Sequence, residues 1–271
     1  MAAEGMPTAH LRAFALDEYC GVGPDHPASY RGFLRREFFG PIGLAADRWQ
    51  VPDGLTTDPQ AETSRYEAAI RAAGGICIAD EVQTGLGRLG EYYFAFEQQG
   101  AIPDVVVLGK PIGNGHPLAV VVTTPEIAGR FGQKAEFFST FGGSNLSCRI
   151  GKEVLDIVDD EGLARNAALV GGELLSGLRE LQARHEAIGQ VRGMGLFTGV
   201  DLVTDRESRT PATAVADHVI NRLRDLRILI GREGPADNVL KIRPPLSFDS
   251  ESVAVILDAL DTALTEAAAA G

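Results

Sequence analysis

Short apolar runs alternate with amphipathic segments in the middle of the chain. The runs Ile76 to Ala79 and Val105 to Leu108 are rich in β-branched residues and bounded by turn residues, which predicts two buried strands. The segment Glu91 to Gln99 between them is amphipathic and predicts a crossover helix. A strand, helix and strand in this order predict a parallel sheet, whose ligands bind beyond the carboxyl ends of the strands.

The downstream pattern predicts a further strand, a helical region and a smaller terminal domain. The strand is Ala119 to Val122, and the helical region is Ser147 to His185 with a break near Glu161 and Gly162. The alanine-rich tail from Ala267 is expected to fray. The terminal domain is predicted to contain strand Gly195 to Leu202, helix Ala212 to Leu226, strand Leu240 to Arg243, and helix Ser250 to Glu266 opened by Asp249 or Ser250. The pattern therefore predicts an α/β fold: a parallel-rich sheet with helices, plus a small α+β C-terminal domain.

Composition narrows the possible partners. The 271 residues are 45% hydrophobic, enough for a core, and the formal net charge is -12. With no lysine- or arginine-rich block, this charge argues against nucleic acid or an anionic membrane as a partner. No apolar run approaches the roughly 20 residues of a membrane span. The N-terminus carries no signal-peptide pattern, so we expect a cytoplasmic protein.

The three cysteines support the same location. Cys20, Cys77 and Cys148 are widely spaced and form no paired pattern. This suits a reducing compartment and argues against a disulfide framework or a zinc site. Cys77 lies within an apolar run and is expected to be a core residue.

Two residues of opposite charge follow the first two predicted strands. Asp80 ends one run, and Lys110 follows the other after Gly109. Pyridoxal phosphate needs an amine to hold its aldehyde as a Schiff base and an anion beside its ring nitrogen. Taken singly, a lysine and an aspartate are most often surface residues. Together, at one sheet edge with the low-bulk turn Gly113-Asn114-Gly115, they predict a pyridoxal phosphate site.

Several motifs resemble those of class-III (fold type I) pyridoxal-phosphate aminotransferases. The resemblance covers the chain from about Gly74 to the C-terminus and is most similar to the subgroup of alanine-glyoxylate aminotransferase 2 and ethanolamine-phosphate phospho-lyase. The motifs that carry it are Asp80 to Arg88, Gly109 to Pro117, Phe138 to Gly143, Arg192 to Phe197, Arg209 to Ala214 and Val239 to Leu246.

The resemblance implies roles for individual residues. Lys110 would hold the cofactor as a Schiff base, Asp80 would pair with the pyridine nitrogen, and Gln83 would lie near the ring hydroxyl. Thr140 would bind the phosphate of the neighbouring subunit's cofactor, which implies a homodimer. Arg243 would bind the carboxylate of an amino donor or keto-acid acceptor, although a structural ion pair explains such an arginine equally well.

The first 73 residues resemble a different family. Phe14 to Val22 and Asp25 to Arg31 are similar to glucosamine-6-phosphate deaminases and 6-phosphogluconolactonases. Asp17 matches the deaminase base, but the loop with that family's catalytic histidine is not present, so a role for Asp17 is not expected. The sequence therefore predicts a chimera of two parents joined near residues 72–75. It has three segments: a deaminase- or lactonase-like fragment, residues 1–73, an aminotransferase large-domain part, residues 74–186, and an aminotransferase small C-terminal domain, residues 187–271.

Three functions remain open from the sequence. The first is a pyridoxal-phosphate transaminase or the related phospho-lyase, both of which begin with the same lysine chemistry. The second is a sugar-phosphate deaminase or lactonase, supported by the N-terminal segment alone. The third is a non-catalytic chimera. The glycine-serine turn that binds the cofactor phosphate in the resembled family is not present here, so we expect weak cofactor binding and no turnover by this chain alone.

Overall fold

The structure is a computed structural model that describes residues 11–15, 18, 20–26, 29–134 and 136–270. The chain divides into two compact units, residues 1–79 with 99–105, and residues 80–98 with 106–271. Asp17, the residue matched to the deaminase base, lies outside the described residues.

The first unit has a small aromatic core. Its elements are β1 (Ala13–Phe14), α1 (Tyr30–Leu34), β2 (Trp49–Gln50), α2 (Pro59–Ala72) and most of β3 (Ile78–Asp80). Strands β1 and β2 pair in parallel. Phe39 and Trp49 are buried with their ring centroids 4.9 Å apart. Tyr66 of α2 is also buried, and its hydroxyl lies 3.0 Å from Ala15 O and 2.9 Å from Gln50 O, which ties the helix to both strands.

A three-stranded sheet has the order β3, β4 (Val105–Leu108) and β5 (Val120–Thr123). Val105 N donates to Cys77 O at 3.1 Å, and Glu81 N donates to Val107 O at 3.0 Å. The paired residues advance in the same direction along both strands, so β3 and β4 are parallel. The parallel pair and the third strand are confirmed, with β4 at its predicted bounds. The predicted burial of the first strand is wrong, because Ile78 of β3 is 59% exposed.

The predicted crossover helix is wrong. Within Glu91 to Gln99 the structure has only a 3₁₀ helix at Ala95–Gln99. The carboxylate of Glu97 accepts hydrogen bonds from Tyr93 N at 2.9 Å and Phe94 N at 3.2 Å. The Glu97 carboxylate therefore binds backbone N–H groups in a turn. Such side-chain hydrogen bonds compete with those of an α-helix.

Three helices follow the sheet: α3 (Pro125–Lys134), α4 (Asn145–Asp160) and α5 (Leu163–Arg184). Ser144 caps α4 by accepting a hydrogen bond from Ser147 N at 3.2 Å. Gly162 adopts a left-handed conformation, with φ of 63°, between α4 and α5. The helix break predicted near Glu161 and Gly162 is confirmed.

The C-terminal part is an antiparallel sheet covered by helices. The elements of this part are β6 (Ile188–Met194), β7 (Phe197–Asp205), β8 (Thr210–Pro211), α6 (Thr213–Asp225), β9 (Gly231–Glu233), β10 (Val239–Ile242) and α7 (Ser250–Ala270). The strands have the order β6, β7, β10, β9, and β8 pairs with β7. Residues of α5, α6, α7, β7 and β10 form one large core cluster. The mixture of strands and helices predicted for this part of the chain is confirmed, although β6, β8 and β9 were not predicted.

The two ends of α7 test two predictions made from the sequence. The tail predicted to fray continues α7 to Ala270, because alanine has the highest helix propensity. Asp249 Oδ1 accepts from Ser252 N at 2.8 Å, which confirms Asp249 as the residue that opens this helix. Within the described ranges, no helix is long and apolar enough to cross a bilayer.

Candidate active site

Lys110 sits in an unusual backbone conformation directly after β4. It begins a 3₁₀ helix, Lys110–Gly113, and its φ is 42°. A non-glycine residue with positive φ is uncommon, and such strain is frequent at functional sites. A Cβ on the preceding Gly109 would come within 3.3 Å of Val82 Cγ1. The lysine is therefore presented on a tight turn at the end of a buried strand.

Two predicted site residues, Asp80 at the end of β3 and Gln83 just after it, lie at the same edge of the sheet as the lysine. Lys110 Nζ lies 3.4 Å from Gln83 Oε1. Asp80 Oδ1 accepts a hydrogen bond from Val82 N at 3.1 Å, which orients its carboxylate. Asp80 and Lys110 are both exposed. An amine, an amide and a carboxylate thus gather at the carboxyl ends of two adjacent strands.

These residues fit the chemistry of pyridoxal phosphate. In the described part of the chain, neither Lys110 nor Asp80 has an ion-pair partner. The amine is free to bind an aldehyde, and one carboxylate oxygen is free for a ring nitrogen. The neighbouring Glu81 is different, because it is 3% exposed and binds Thr84 Oγ1 at 2.6 Å and Phe96 N at 2.9 Å. Glu81 holds the segment in place.

Thr140 lies in an exposed loop between α3 and α4. Ser139 Oγ accepts from Gly142 N at 2.8 Å and shapes the loop. Phe137, Phe138 and Phe141 on either side of Thr140 are 72%, 86% and 85% exposed. Among the described hydrogen bonds, none joins Thr140 to Lys110, Asp80 or Gln83. The structure therefore brings Lys110 and Gln83 into contact and places Asp80 at the end of the neighbouring strand, whereas Thr140 makes no described hydrogen bond to any of them.

Sequence reasoning missed the contact that anchors the lysine turn to α4. His116 Nε2 lies 2.8 Å from Ser147 Oγ, which in turn receives a hydrogen bond from Ser144 Oγ at 2.8 Å. His116 was part of a recognised motif but had no predicted role. No spacing pattern could reveal the contact, because the two residues lie on different elements and are 31 residues apart.

Arg243 follows β10 and is largely buried. Its guanidinium lies 2.8 Å from Glu233 Oε1 and stacks on Phe197, with 4.2 Å between the guanidinium carbon and the ring centroid. Arg88 lies nearby and donates to the carbonyls of Leu196 and Pro244. Burial lowers the pKa of Arg88, and the like charge of Arg243 adds to that effect. The predicted carboxylate-binding arginine is therefore already engaged in an ion pair.

An open cavity of about 280 Å³ borders the lysine turn. Its lining includes Leu86, Arg88, Pro111, Ile157 and Leu246, whereas Lys110 does not line it. The cavity is therefore separate from the amine that would carry the chemistry.

Comparison with known proteins gives consistent matches. The family model for class-III aminotransferases matches residues 54–264. An alanine-glyoxylate aminotransferase 2-like protein of Drosophila melanogaster is 44% identical over 215 residues, covering 79% of this chain and 44% of the relative. The mitochondrial alanine-glyoxylate aminotransferase 2 homolog 2 of Arabidopsis thaliana is 44% identical over 224 residues, covering 83% of this chain and 46% of the relative. Ethanolamine-phosphate phospho-lyase homolog 1 of Caenorhabditis elegans is 43% identical over 229 residues, covering 83% of this chain and 49% of the relative.

A solved structure agrees with these relatives. A phospholyase from Arthrobacter in complex with phosphoethanolamine matches with a TM-score of 0.74 and 36% identity, covering 84% of this chain and 56% of that one. The chain spans about half the length of the curated relatives it matches. The family match begins at residue 54, within the first of the three segments predicted from the sequence.

Proposed function

We propose that this chain, which belongs to the class-III aminotransferase family, carries the lysine-bearing part of a pyridoxal-phosphate site for amino-group transfer. Class-III aminotransferases depend on pyridoxal 5'-phosphate. The observation that carries the proposal is the 3.4 Å approach of Lys110 Nζ to Gln83 Oε1, with Asp80 at the start of the same segment. The transaminase activity of the whole protein is part of this proposal.

The site residues would divide the work. The cofactor, when bound, supplies an electron sink for the bond that breaks beside the amino group. Lys110 holds the cofactor through its amine and then moves the proton at the substrate's α-carbon. Asp80 places a negative charge beside the ring nitrogen and keeps that nitrogen protonated. Gln83 orients the lysine amine and lies near the ring hydroxyl.

The proposed substrates are an amino donor and a keto-acid acceptor. Arg243 would bind a substrate carboxylate through its planar guanidinium. A phospho-lyase is the second candidate, because one relative is named an ethanolamine-phosphate phospho-lyase homolog and one matched structure is a phospholyase. The chain is 44% identical to an aminotransferase-like relative and 43% identical to a phospho-lyase homolog, so sequence identity favours neither activity. Release of inorganic phosphate from phosphoethanolamine would identify the lyase.

Three further proposals concern a homodimer, a cytoplasmic location and a chimeric origin of the chain. An exposed Thr140 flanked by exposed phenylalanines supports a homodimer in which Thr140 binds the partner's cofactor phosphate. Free cysteines and net negative charge support the cytoplasm, although the Arabidopsis relative is named mitochondrial. The deaminase-like and lactonase-like motifs support a separate origin for the first segment. Because the family match begins at residue 54, that proposal bears most directly on residues 1–53.

Covalent trapping tests the central proposal. The chain is incubated with pyridoxal phosphate, reduced with borohydride and digested, and the labelled peptide is identified by mass spectrometry. We expect the label on Lys110, and its loss in Lys110→Ala. Lys134, Lys152 and Lys241 serve as internal controls, because each lies outside the turn after β4. A label on one of these three with Lys110 unmodified would refute the assignment.

A further inference from the structure

Three side chains form a chain of hydrogen bonds between the loop after the lysine turn and the start of α4. His116 Nε2 lies 2.8 Å from Ser147 Oγ, and Ser144 Oγ donates to the same oxygen at 2.8 Å. Because Ser147 Oγ already accepts from Ser144, its own proton is available to His116 Nε2. A serine hydroxyl therefore lies against an imidazole nitrogen that can take its proton.

The backbone and the packing fix both ends of this contact. His116 N donates to Gly113 O at 2.9 Å, which closes the turn that follows the lysine. Ser147 lies in the first turn of α4. One helical turn later, a Cβ at Gly151 would come within 2.7 Å of Leu118 Cδ2, so α4 packs tightly against the loop that carries the histidine. The serine and the imidazole are therefore held together by elements of the fold.

The serine is accessible and lies at the positive end of a helix. Ser147 and His116 are half-buried, and Leu146 and Phe141 in the adjoining sequence are exposed. Within the described structure, Asn145 N and Leu146 N donate no hydrogen bond, as is usual for the first amides of a helix. Such amides carry partial positive charge and stabilise an oxyanion that forms beside them. The apolar side chains provide a surface for an apolar acyl group.

We propose that Ser147 and His116 are a nucleophile and its base, and that they hydrolyse activated esters. Ser147 Oγ bonds to the carbonyl carbon of the ester while His116 Nε2 takes the hydroxyl proton. The bond to the leaving alcohol breaks, and the alcohol takes that proton from His116. Water then attacks the acyl-serine with His116 as base, which releases the carboxylic acid and restores Ser147. This activity is separate from amino-group transfer and does not involve Lys110.

The expected activity is modest. Among the described hydrogen bonds of His116, none joins a carboxylate, so the pair lacks the third group that orients the base in a triad. A single positioned base contributes about 10²- to 10⁴-fold to such a reaction. Covalent labelling of the serine is therefore a sharper readout than turnover.

Diisopropyl fluorophosphate tests the pair on the whole chain without any cofactor. Ser147 Oγ should bond to phosphorus as fluoride leaves and His116 takes the proton, and peptide mass spectrometry locates the label. His116→Gln should slow the labelling about 100-fold, because glutamine can hydrogen-bond to Ser147 but cannot take its proton. Ser208 is the internal control and should stay unlabelled, since its hydroxyl binds Asp205 Oδ1 at 2.6 Å instead of an imidazole.

Hydrolysis of p-nitrophenyl acetate completes the test. It is measured in Cys148→Ala, because the exposed thiol next to Ser147 also reacts with this ester. Labelling of Ser147 that depends on His116, together with hydrolysis that is lost on adding Ser147→Ala, supports the proposal.

Three results would overturn it: no label on Ser147, equal labelling of the wild type and His116→Gln, or hydrolysis that persists in Ser147→Ala. Thermal unfolding shows whether each variant is folded, and His116→Asn replaces His116→Gln if the latter unfolds.

Discussion

Lys110 Nζ lies 3.4 Å from Gln83 Oε1, although the two residues are 27 positions apart. Both follow strands of one parallel pair, and the carboxyl ends of parallel strands meet at one edge of the sheet. The contact therefore results from the parallel pairing of β3 and β4, not from a local turn. It joins the covalent centre of the proposed site to the segment that carries Asp80.

The first prediction concerns this contact. Gln83→Ala should slow capture of pyridoxal phosphate by Lys110 less than tenfold, because a long hydrogen bond between a cation and an amide contributes about 1 kcal/mol or less. Stopped-flow absorbance of the lysine-bound cofactor measures the rate. Gln133→Ala on exposed helix α3 is the matched control and should have no effect. A hundredfold loss would mean that Gln83 does more than orient the amine.

The second prediction separates Asp80 from Lys110. Asp80→Asn should still capture cofactor on Lys110, since the amine is unchanged, but should slow removal of the substrate's α-proton by about tenfold or more. Capture is measured by borohydride trapping, and proton removal by exchange of the α-hydrogen of the amino donor with deuterated water.

The control for that prediction is Asp156→Asn. Asp156 pairs with Lys152 at 2.5 Å on the exposed side of α4, so this variant makes the same chemical change at a distant position. Equal exchange rates in wild type and Asp80→Asn, in a chain that exchanges measurably, would contradict the role given to Asp80.

The parts of the fold that could be predicted depend on local patterns. The β-branched run of β4 was predicted at its observed bounds, because a strand buried on both faces needs a continuous apolar run. Strand β6, Ile188–Met194, was missed, because it contains two glycines and an arginine. It is a strand because it pairs along its length with β7. Such pairing is tertiary context that outweighs intrinsic propensity.

The candidate site shows the same limit. The placement of Asp80 and Lys110 at one edge of the sheet could be predicted, since it requires only two parallel strands and the residues at their ends. The ion pair of Arg243 with Glu233 could not, because it depends on the register of β9 with β10. Register is set by the long-range packing of the sheet, and a one-residue shift would move Glu233 to the opposite face.

The third prediction uses two successive glycines of α5. A Cβ at Gly171 would lie 2.3 Å from the carbonyl carbon and oxygen of Gly195, whereas a Cβ at Gly172 would meet nothing within 4 Å. Gly171→Ala should lower the free energy of unfolding by about 1 to 3 kcal/mol, because the backbone of the neighbouring turn must move. Gly172→Ala should raise it by about 0.5 to 1 kcal/mol, because alanine costs less conformational entropy in a helix.

Thermal unfolding followed by circular dichroism compares the two glycine variants. Each variant is the control for the other. Both replace glycine with alanine in the same helix, and the two positions are one residue apart. Shifts of the melting temperature in the same direction would contradict the close packing of α5 against the turn at Gly195.

The fourth prediction concerns alkaline pH and Tyr66. Burial raises the pKa of Tyr66 from 10.0 to about 12. The folded chain thus disfavours the phenolate, so the contribution of Tyr66 to stability is complete below pH 10.0 and is lost as the pH rises through about 12. The sequence has a single tryptophan, Trp49, which is buried against Phe39 and reports on unfolding of this unit.

Tyr66→Phe tests that dependence. At pH 7 the variant should be less stable by about 1 to 3 kcal/mol, because the carbonyls of Ala15 and Gln50 lose their hydroxyl donor. Between pH 10.0 and 12 the wild type should lose more stability than the variant, so the gap between them should narrow. Urea unfolding monitored by Trp49 fluorescence measures both, and Tyr92→Phe in the second unit should leave the Trp49 transition unchanged. A gap that is constant over this range would show that Tyr66 does not titrate with folding.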